Sequence, residues 1–187
     1  MKTIKTLSLI FASILMIGLT SCSNDDDSTP PPVNEEEVIT TLIVTLASPG
    51  NPTITMTSND PDGDGPQPPV VTVDGDLIAG VSYAGTVRVE NRLEDPAENI
   101  TEEVEAESEE HQFFFNAAAG LLLTTAYGNS DGNGNPLGTL IEATAGAAST
   151  GSWTVTLRHE PQKPNDGTLA DAGGETDIQV IFPVTIQ

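Results

Sequence analysis

The densest set of hard oxygen donors in this chain is Asp60-Pro61-Asp62-Gly63-Asp64-Gly65. Calcium takes roughly six to eight oxygen ligands, and aspartates at alternate positions followed by a glycine that permits a sharp turn are the pattern on which a twelve-residue calcium loop opens. A calcium site on Asp60, Asp62 and Asp64 is therefore set against a plain Asp/Gly/Pro turn. The twelfth position falls on Val71 instead of a bidentate glutamate, and Pro66, Pro68 and Pro69 stiffen the stretch, so coordination would have to be completed from elsewhere in the fold. Asn129, Asp131, Asn133 and Gly134 repeat the spacing with less charge and with Leu140 at the twelfth position, which favours a hairpin loop.

Imidazole and thiol chemistry is sparse. His111 follows Glu109 and Glu110, and His159 precedes Glu160, so each offers a ligand type that zinc accepts, but nothing in their spacing requires them to meet. Surface or strand-end histidines are the expectation. The sequence contains no nucleophile elbow, no phosphate-binding glycine loop and no His-Glu-x-x-His pattern, so no enzyme and no cofactor beyond calcium is expected.

The elements that would position these groups read as strands. Leu42, Val44 and Leu46 share one face of a first strand, with Thr53-Ile54-Thr55-Met56-Thr57 as its hairpin partner across Pro49-Gly50-Asn51-Pro52. Val70-Val71-Thr72-Val73 precedes a tight Asp74-Gly75 turn, and a longer strand follows with Tyr83, Val87 and Val89 inward. Ile100 and Val104 sit at helical spacing in an acidic stretch, with Asp95 and Asn99 as caps, so a short acidic helix near residues 99–110 competes with an acidic loop. Phe113, Phe114 and Phe115 cannot all face one side of a sheet; core packing is the default for all three. Trp153, Val155 and Leu157 alternate with polar residues, as do Ile178, Val180, Phe182, Val184 and Ile186, while Ile181 and Pro183 suggest an edge strand or a bulge. Residues 160–174 make a loop long enough to cross between sheets. The expected fold is all-β: an antiparallel β-sandwich, immunoglobulin-like or of a related Greek-key type.

The N-terminus has a different composition. Lys2 and Lys5 precede an uncharged, almost wholly apolar run over residues 7–19, too short to span a bilayer comfortably and closed by small residues, which is the layout of an export signal. Leu19-Thr20-Ser21-Cys22 resembles the lipobox of bacterial lipoproteins. The resemblance implies cleavage before Cys22 and lipidation of its thiol, and it explains a lone cysteine in an exported chain. By the same resemblance, Ser23 in place of Asp after Cys22 disfavours retention in the inner membrane. Asp25-Asp26-Asp27 reads either as an acidic export tether to the outer face of the outer membrane or as a solvated charge run. Residues 1–21 are thus the expected signal peptide, 22–37 an acidic tether stiffened by Pro30-Pro31-Pro32, and 38–187 a single domain.

Cleavage would remove Lys2 and Lys5 and none of the 28 acidic residues, leaving four basic side chains against 28 acidic ones, a formal charge of −24. That sign disfavours nucleic acid and anionic lipid, both of which need a basic face. Asn34-Glu35-Glu36-Glu37-Val38-Ile39-Thr40-Thr41, Asp62-Gly63-Asp64-Gly65, His111-Gln112-Phe113-Phe114 and Leu157-Arg158-His159-Glu160-Pro161 are similar to a group of small lipoproteins sometimes labelled type 1 periplasmic binding fold. The resemblance implies a lipoprotein, whereas the length and strand content fit one sandwich and not two α/β lobes. The expectation is an outer-membrane lipoprotein held at Cys22, periplasmic or at the cell surface, that displays a binding or accessory module for an envelope protein, glycan or peptide. A purely structural envelope component is the alternative.

Overall fold

β-Branched and aromatic residues alternating with polar ones form strands because one face of each can be buried while the other stays wet. The computed structural model describes residues 37–63 and 65–187. In chain order the elements are β1 (Thr41–Ala47), β2 (Ile54–Asn59), β3 (Val70–Val73), β4 (Ser82–Glu90), α1 (Ile100–Ala106), β5 (His111–Ala117), β6 (Leu123–Tyr127), β7 (Leu140–Ala145), β8 (Ser149–His159), α2 (Leu169–Ala172) and β9 (Glu175–Ile186). They form a six-stranded sheet of order β3-β2-β1-β4-β7-β6 and a three-stranded sheet of order β5-β8-β9. All strand pairings within the two sheets are antiparallel. β4 returns to lie beside β1, so the first four strands make a Greek key. This is the all-β antiparallel sandwich that the alternation implies.

Two connections differ from the sequence expectation. β3 pairs with β2 and not with β4, and the Asp74 carboxylate accepts the Thr55 N–H (2.5 Å) at the point where the chain leaves β3. Residues 77–79 then cross to the other sheet, where Leu77 N–H donates to Thr185 O (2.9 Å) and Gln187 N–H donates to Leu77 O (2.9 Å), joining the two sheets at one end. Residues 160–174 do not change sheets: β8 and β9 are neighbours over eleven register pairs, and the excursion carrying α2 returns to the same sheet. Local alternation sets which face a residue takes but not which strand lies beside it.

The inner faces hold Leu42, Val44, Leu46, Tyr83, Val87, Val89, Trp153, Val155, Leu157, Val180, Phe182, Val184 and Ile186, all buried. Each such side chain contributes about 1.5–3 kcal/mol through removal from water. Phe113 joins this core, and Phe115 stacks on both Phe113 and Trp153, with centroids 6.5 and 5.7 Å apart. Phe114 points the other way and is buried beside Leu169 of α2, so the long excursion serves as a lid for the one aromatic that cannot face inward. α1 buries Ile100 and Val104 at the expected spacing; Asn99 holds its N-cap position, but its amide donates to Glu102 Oε1 (2.8 Å) and caps no backbone N–H. β9 is both an edge strand and bulged: Leu157 pairs with Ile178 while Arg158 pairs with Thr176, leaving Asp177 as the extra residue.

The registers bring the start of β1, the end of β4, the start of β5, the end of β8 and the start of β9 to one end of the sandwich. The connections over 60–69, 91–99, 128–139 and 160–174 gather there. Among the described residues no helix is long and apolar enough to cross a membrane.

Candidate functional site

At this loop-rich end the last inward positions of two paired strands are histidines. His111 opens β5, His159 closes β8, the two are register partners, and their rings lie 4.8 Å apart. Where the core pattern would place another apolar pair, two imidazoles cap it. Glu37, which the tether reading placed outside the domain, lies across both rings: its Oε1 is 3.2 Å from His111 Nε2 and its Oε2 is 3.7 Å from His159 Nδ1. The β9 bulge turns Asp177 inward, so that its Oδ1 stands 3.8 Å from His159 Nδ1. The side chains of Glu37, His111, His159 and Asp177 are 3, 0, 9 and 4 % exposed, so this is a closed cluster of two imidazoles and two carboxylates. One donor atom from each of the four lies within 4.8 Å of the other three. His111 Nδ1 donates to the Glu107 carbonyl (3.3 Å), which can only accept, and this orients Nε2 toward the carboxylates.

α1 adds further acid. Glu103 and Glu107 approach Glu37, and no basic residue stands in the last turn of α1. Glu103 is exposed, but partial desolvation by its neighbours, and then the charges of Glu37, Glu107 and Glu98, raise its pKa above its ordinary value, partly opposed by His111.

A second buried polar cluster ties the loops together. Lys163, in the 160–174 excursion, donates to the carbonyls of Ser108 and His111 (2.6 Å each) and to Asp131 Oδ2 (3.3 Å), with side chains 6 and 0 % exposed. Burial pushes the Lys163 pKa down, opposed by Asp131 and Glu109. Burial also pushes Asp131 up, but donation from Asn135 side chain and backbone, from Asn133 N–H and the Lys163 charge outweigh it and hold its pKa below the carboxylate norm. Nearby, Asn165 donates to Gln112 Oε1 (2.8 Å) and Glu160 N–H donates to Glu110 O (2.7 Å).

The residues singled out from sequence fall as follows. Asp60 and Asp62 lie at this end on the loop after β2: Asp60 Oδ1 accepts the Asp62 N–H (3.3 Å) and Asp62 Oδ2 accepts the Gln67 N–H (3.2 Å), while Asp64 lies outside the described residues. Cys22 lies outside them as well. The Asn129 to Gly134 stretch is the expected hairpin loop between β6 and β7. Its polar groups bind its own backbone, with Asn129 Oδ1 accepting from Gly138 and Leu140 (3.1 Å each) and Asp131 Oδ1 from Asn133 and Asn135 (2.9 and 2.8 Å). The histidines are at strand ends, as expected, but buried together and not at the surface. Glu37, Asp177 and Lys163 join these clusters without belonging to any motif in the sequence. Lys163 alone carries a signal in the sequence, as one of only four basic residues downstream of Cys22; Glu37 ends a glutamate run, and Asp177 falls in the polar phase of the Ile178 to Ile186 alternation.

The outer face of the three-stranded sheet carries a cleft of about 360 Å³ beneath the 160–174 excursion, floored by Phe114, Thr154, Thr156 and Gln179 and walled by Thr168 and Leu169. Compared with known protein-family models, curated proteins and solved structures, the chain matches none.

Proposed function

We propose that the chain is a lipid-anchored module of the outer membrane, in which Cys22 carries the lipid and the sandwich acts as a binding or accessory domain and not as an enzyme. The observation that carries the binding role is the cleft over Phe114. Its volume of about 360 Å³ falls within the range of small-ligand sites, and the Thr154, Thr156 and Gln179 side chains line it above the buried Phe114. That mixture suits a glycan or peptide of the envelope. Lys163 and Asn165 support the reading, because they fasten the wall of the cleft to β5 and to the α1–β5 connection and so preorganise it. The lipobox residues support the anchor, and the −24 charge argues against nucleic acid.

The test uses full-length protein expressed with its export signal. Wild type is expected to partition into the detergent phase and Cys22→Ala into the aqueous phase. Wild type is further expected to retain an envelope polysaccharide or peptidoglycan-peptide fraction that Gln179→Ala, still anchored, retains less well. Detergent partitioning of Cys22→Ala would remove the anchor. An anchored protein that retains nothing, with Gln179→Ala indistinguishable from wild type, would favour a structural envelope component.

A further inference from the structure

We infer that Glu37, His111, His159 and Asp177 form a structural site for a divalent transition-metal ion of the zinc class, closing the loop-rich end of the sandwich around the point where the chain enters it. The donor set is two imidazoles and two carboxylates, which suits zinc and is too poor in oxygen for calcium. Tetrahedral zinc with bonds of about 2.0–2.2 Å holds its donors about 3.4 Å apart. The contacts of 3.2 and 3.7 Å to the two oxygens of Glu37 and of 3.8 Å between Asp177 and His159 lie near that spacing, and one donor from each residue lies within 4.8 Å of the others, so small side-chain adjustments would close the set on an ion.

Orientation adds an independent point. Because His111 Nδ1 carries the proton given to Glu107 O, a neutral ring directs its Nε2 lone pair at the Glu37 carboxylate. Two electron-rich atoms held face to face in a dry site are repulsive, and a cation between them reverses the sign. Glu37 Oε2 and His111 Nε2 are both buried and make no hydrogen bond, so two of the donor atoms offered to a metal are polar atoms whose hydrogen-bonding capacity is unmet. One divalent ion would balance the charge of the two carboxylates, Glu37 and Asp177. Glu103 and Glu107 deepen the negative potential behind Glu37.

All four positions are filled by protein groups in a closed pocket, as in structural zinc sites; a catalytic site keeps one position open. The donors come from widely separated parts of the chain, the approach to β1, the facing ends of β5 and β8, and the β9 bulge, so the ion would fasten Glu37 to both strands of the histidine pair.

The test is made on full-length protein stripped with chelator and then titrated with zinc, calorimetrically and by thermal melting. One zinc per chain is expected, with a rise in melting temperature of several degrees that chelator reverses and that calcium does not reproduce in an Asp62→Asn background. Cobalt in place of zinc should produce the intense visible absorption of a tetrahedral site. Glu37→Gln and His159→Gln should each weaken zinc binding by more than about a hundredfold while melting in chelator as wild type does in chelator, which separates a lost ligand from a lost fold. The Glu37 variant also separates this site from the neighbouring Glu110, His159 and Glu160 group, which lacks Glu37. Stripped wild type whose melt ignores zinc, or zinc bound equally well by Glu37→Gln, overturns the assignment and leaves a buried ion-pair cluster. Neither result depends on Cys22 or on the cleft ligand.

Discussion

Replacing Lys163 with methionine keeps the stem that packs in the 160–174 excursion and removes only the ammonium. The change strips a donor from two carbonyls, Ser108 O and His111 O, and the counter-charge from Asp131, whose side chain is fully buried. Breaking a buried ion pair costs about 3–5 kcal/mol when the remaining charge is left without partners. Asp131 keeps three N–H donors, from Asn133 and twice from Asn135, and burial of the ammonium itself carries a cost that the variant escapes, so the expected loss is lower, about 2–3 kcal/mol. For a domain of this size that corresponds to a melting-temperature drop of roughly 5–10 °C. Calorimetric melts of wild type, Lys163→Met, Asp131→Asn and the double variant form the assay, and the double variant should lose less than the sum of the two single ones. The depressed Asp131 pKa sets the pH dependence. Its contribution is present above the ordinary carboxylate range, near pH 4, and is lost as pH falls through the lower folded-state value, so the gap between wild type and Lys163→Met narrows in acid. A variant melting within a degree of wild type at pH 7, or strictly additive losses, refutes the role given to Lys163.

Other perturbations have defined signs. Glu103 is exposed but has a pKa raised by partial desolvation and then by Glu37, Glu107 and Glu98, so its charge costs a little stability at neutral pH and the cost is lost as pH falls through the raised value; Glu103→Gln should slightly raise the melting temperature of metal-free protein at pH 7 but not in acid, and equal gains at both pH values would contradict this. Gly138 has φ +96°, and a Cβ there would meet Phe113 Cβ at 2.9 Å, so Gly138→Ala should cost about 1–3 kcal/mol in denaturant titration, and a loss below about 0.5 kcal/mol would mean that the loop yields freely. If residues 60–65 hold calcium, adding calcium to chelator-treated protein should raise its melting temperature, and Asp62→Asn should abolish that rise; an unchanged melt removes the calcium proposal.

What could be read before the fold was known follows a physical divide. Alternation along Trp153 to Leu157 and Ile178 to Ile186 reports which face is apolar, and burial enforces it, so the sandwich class and its core were legible. Strand neighbours were not, because hydrogen-bonding partners leave no trace in local periodicity; this is why β3 beside β2, and β8 beside β9, had to be seen. The histidine pair shows the same limit. His111 and His159 are 48 positions apart, and only the β5–β8 register makes them facing residues. Asp177 was assigned to the outer face because strict alternation puts it there, and a single bulge reverses it. Glu37 looked like the last charge of a solvated tether, since nothing in a glutamate run says which member turns inward.

The buried cluster can be examined most directly by anomalous diffraction at the zinc edge on crystals of the full-length protein loaded with one equivalent of zinc. A single peak is expected within about 2.2 Å of donor atoms from Glu37, His111, His159 and Asp177. A peak at residues 60–65 or on the Glu110, His159 and Glu160 group, with the four-residue cluster empty, would contradict it.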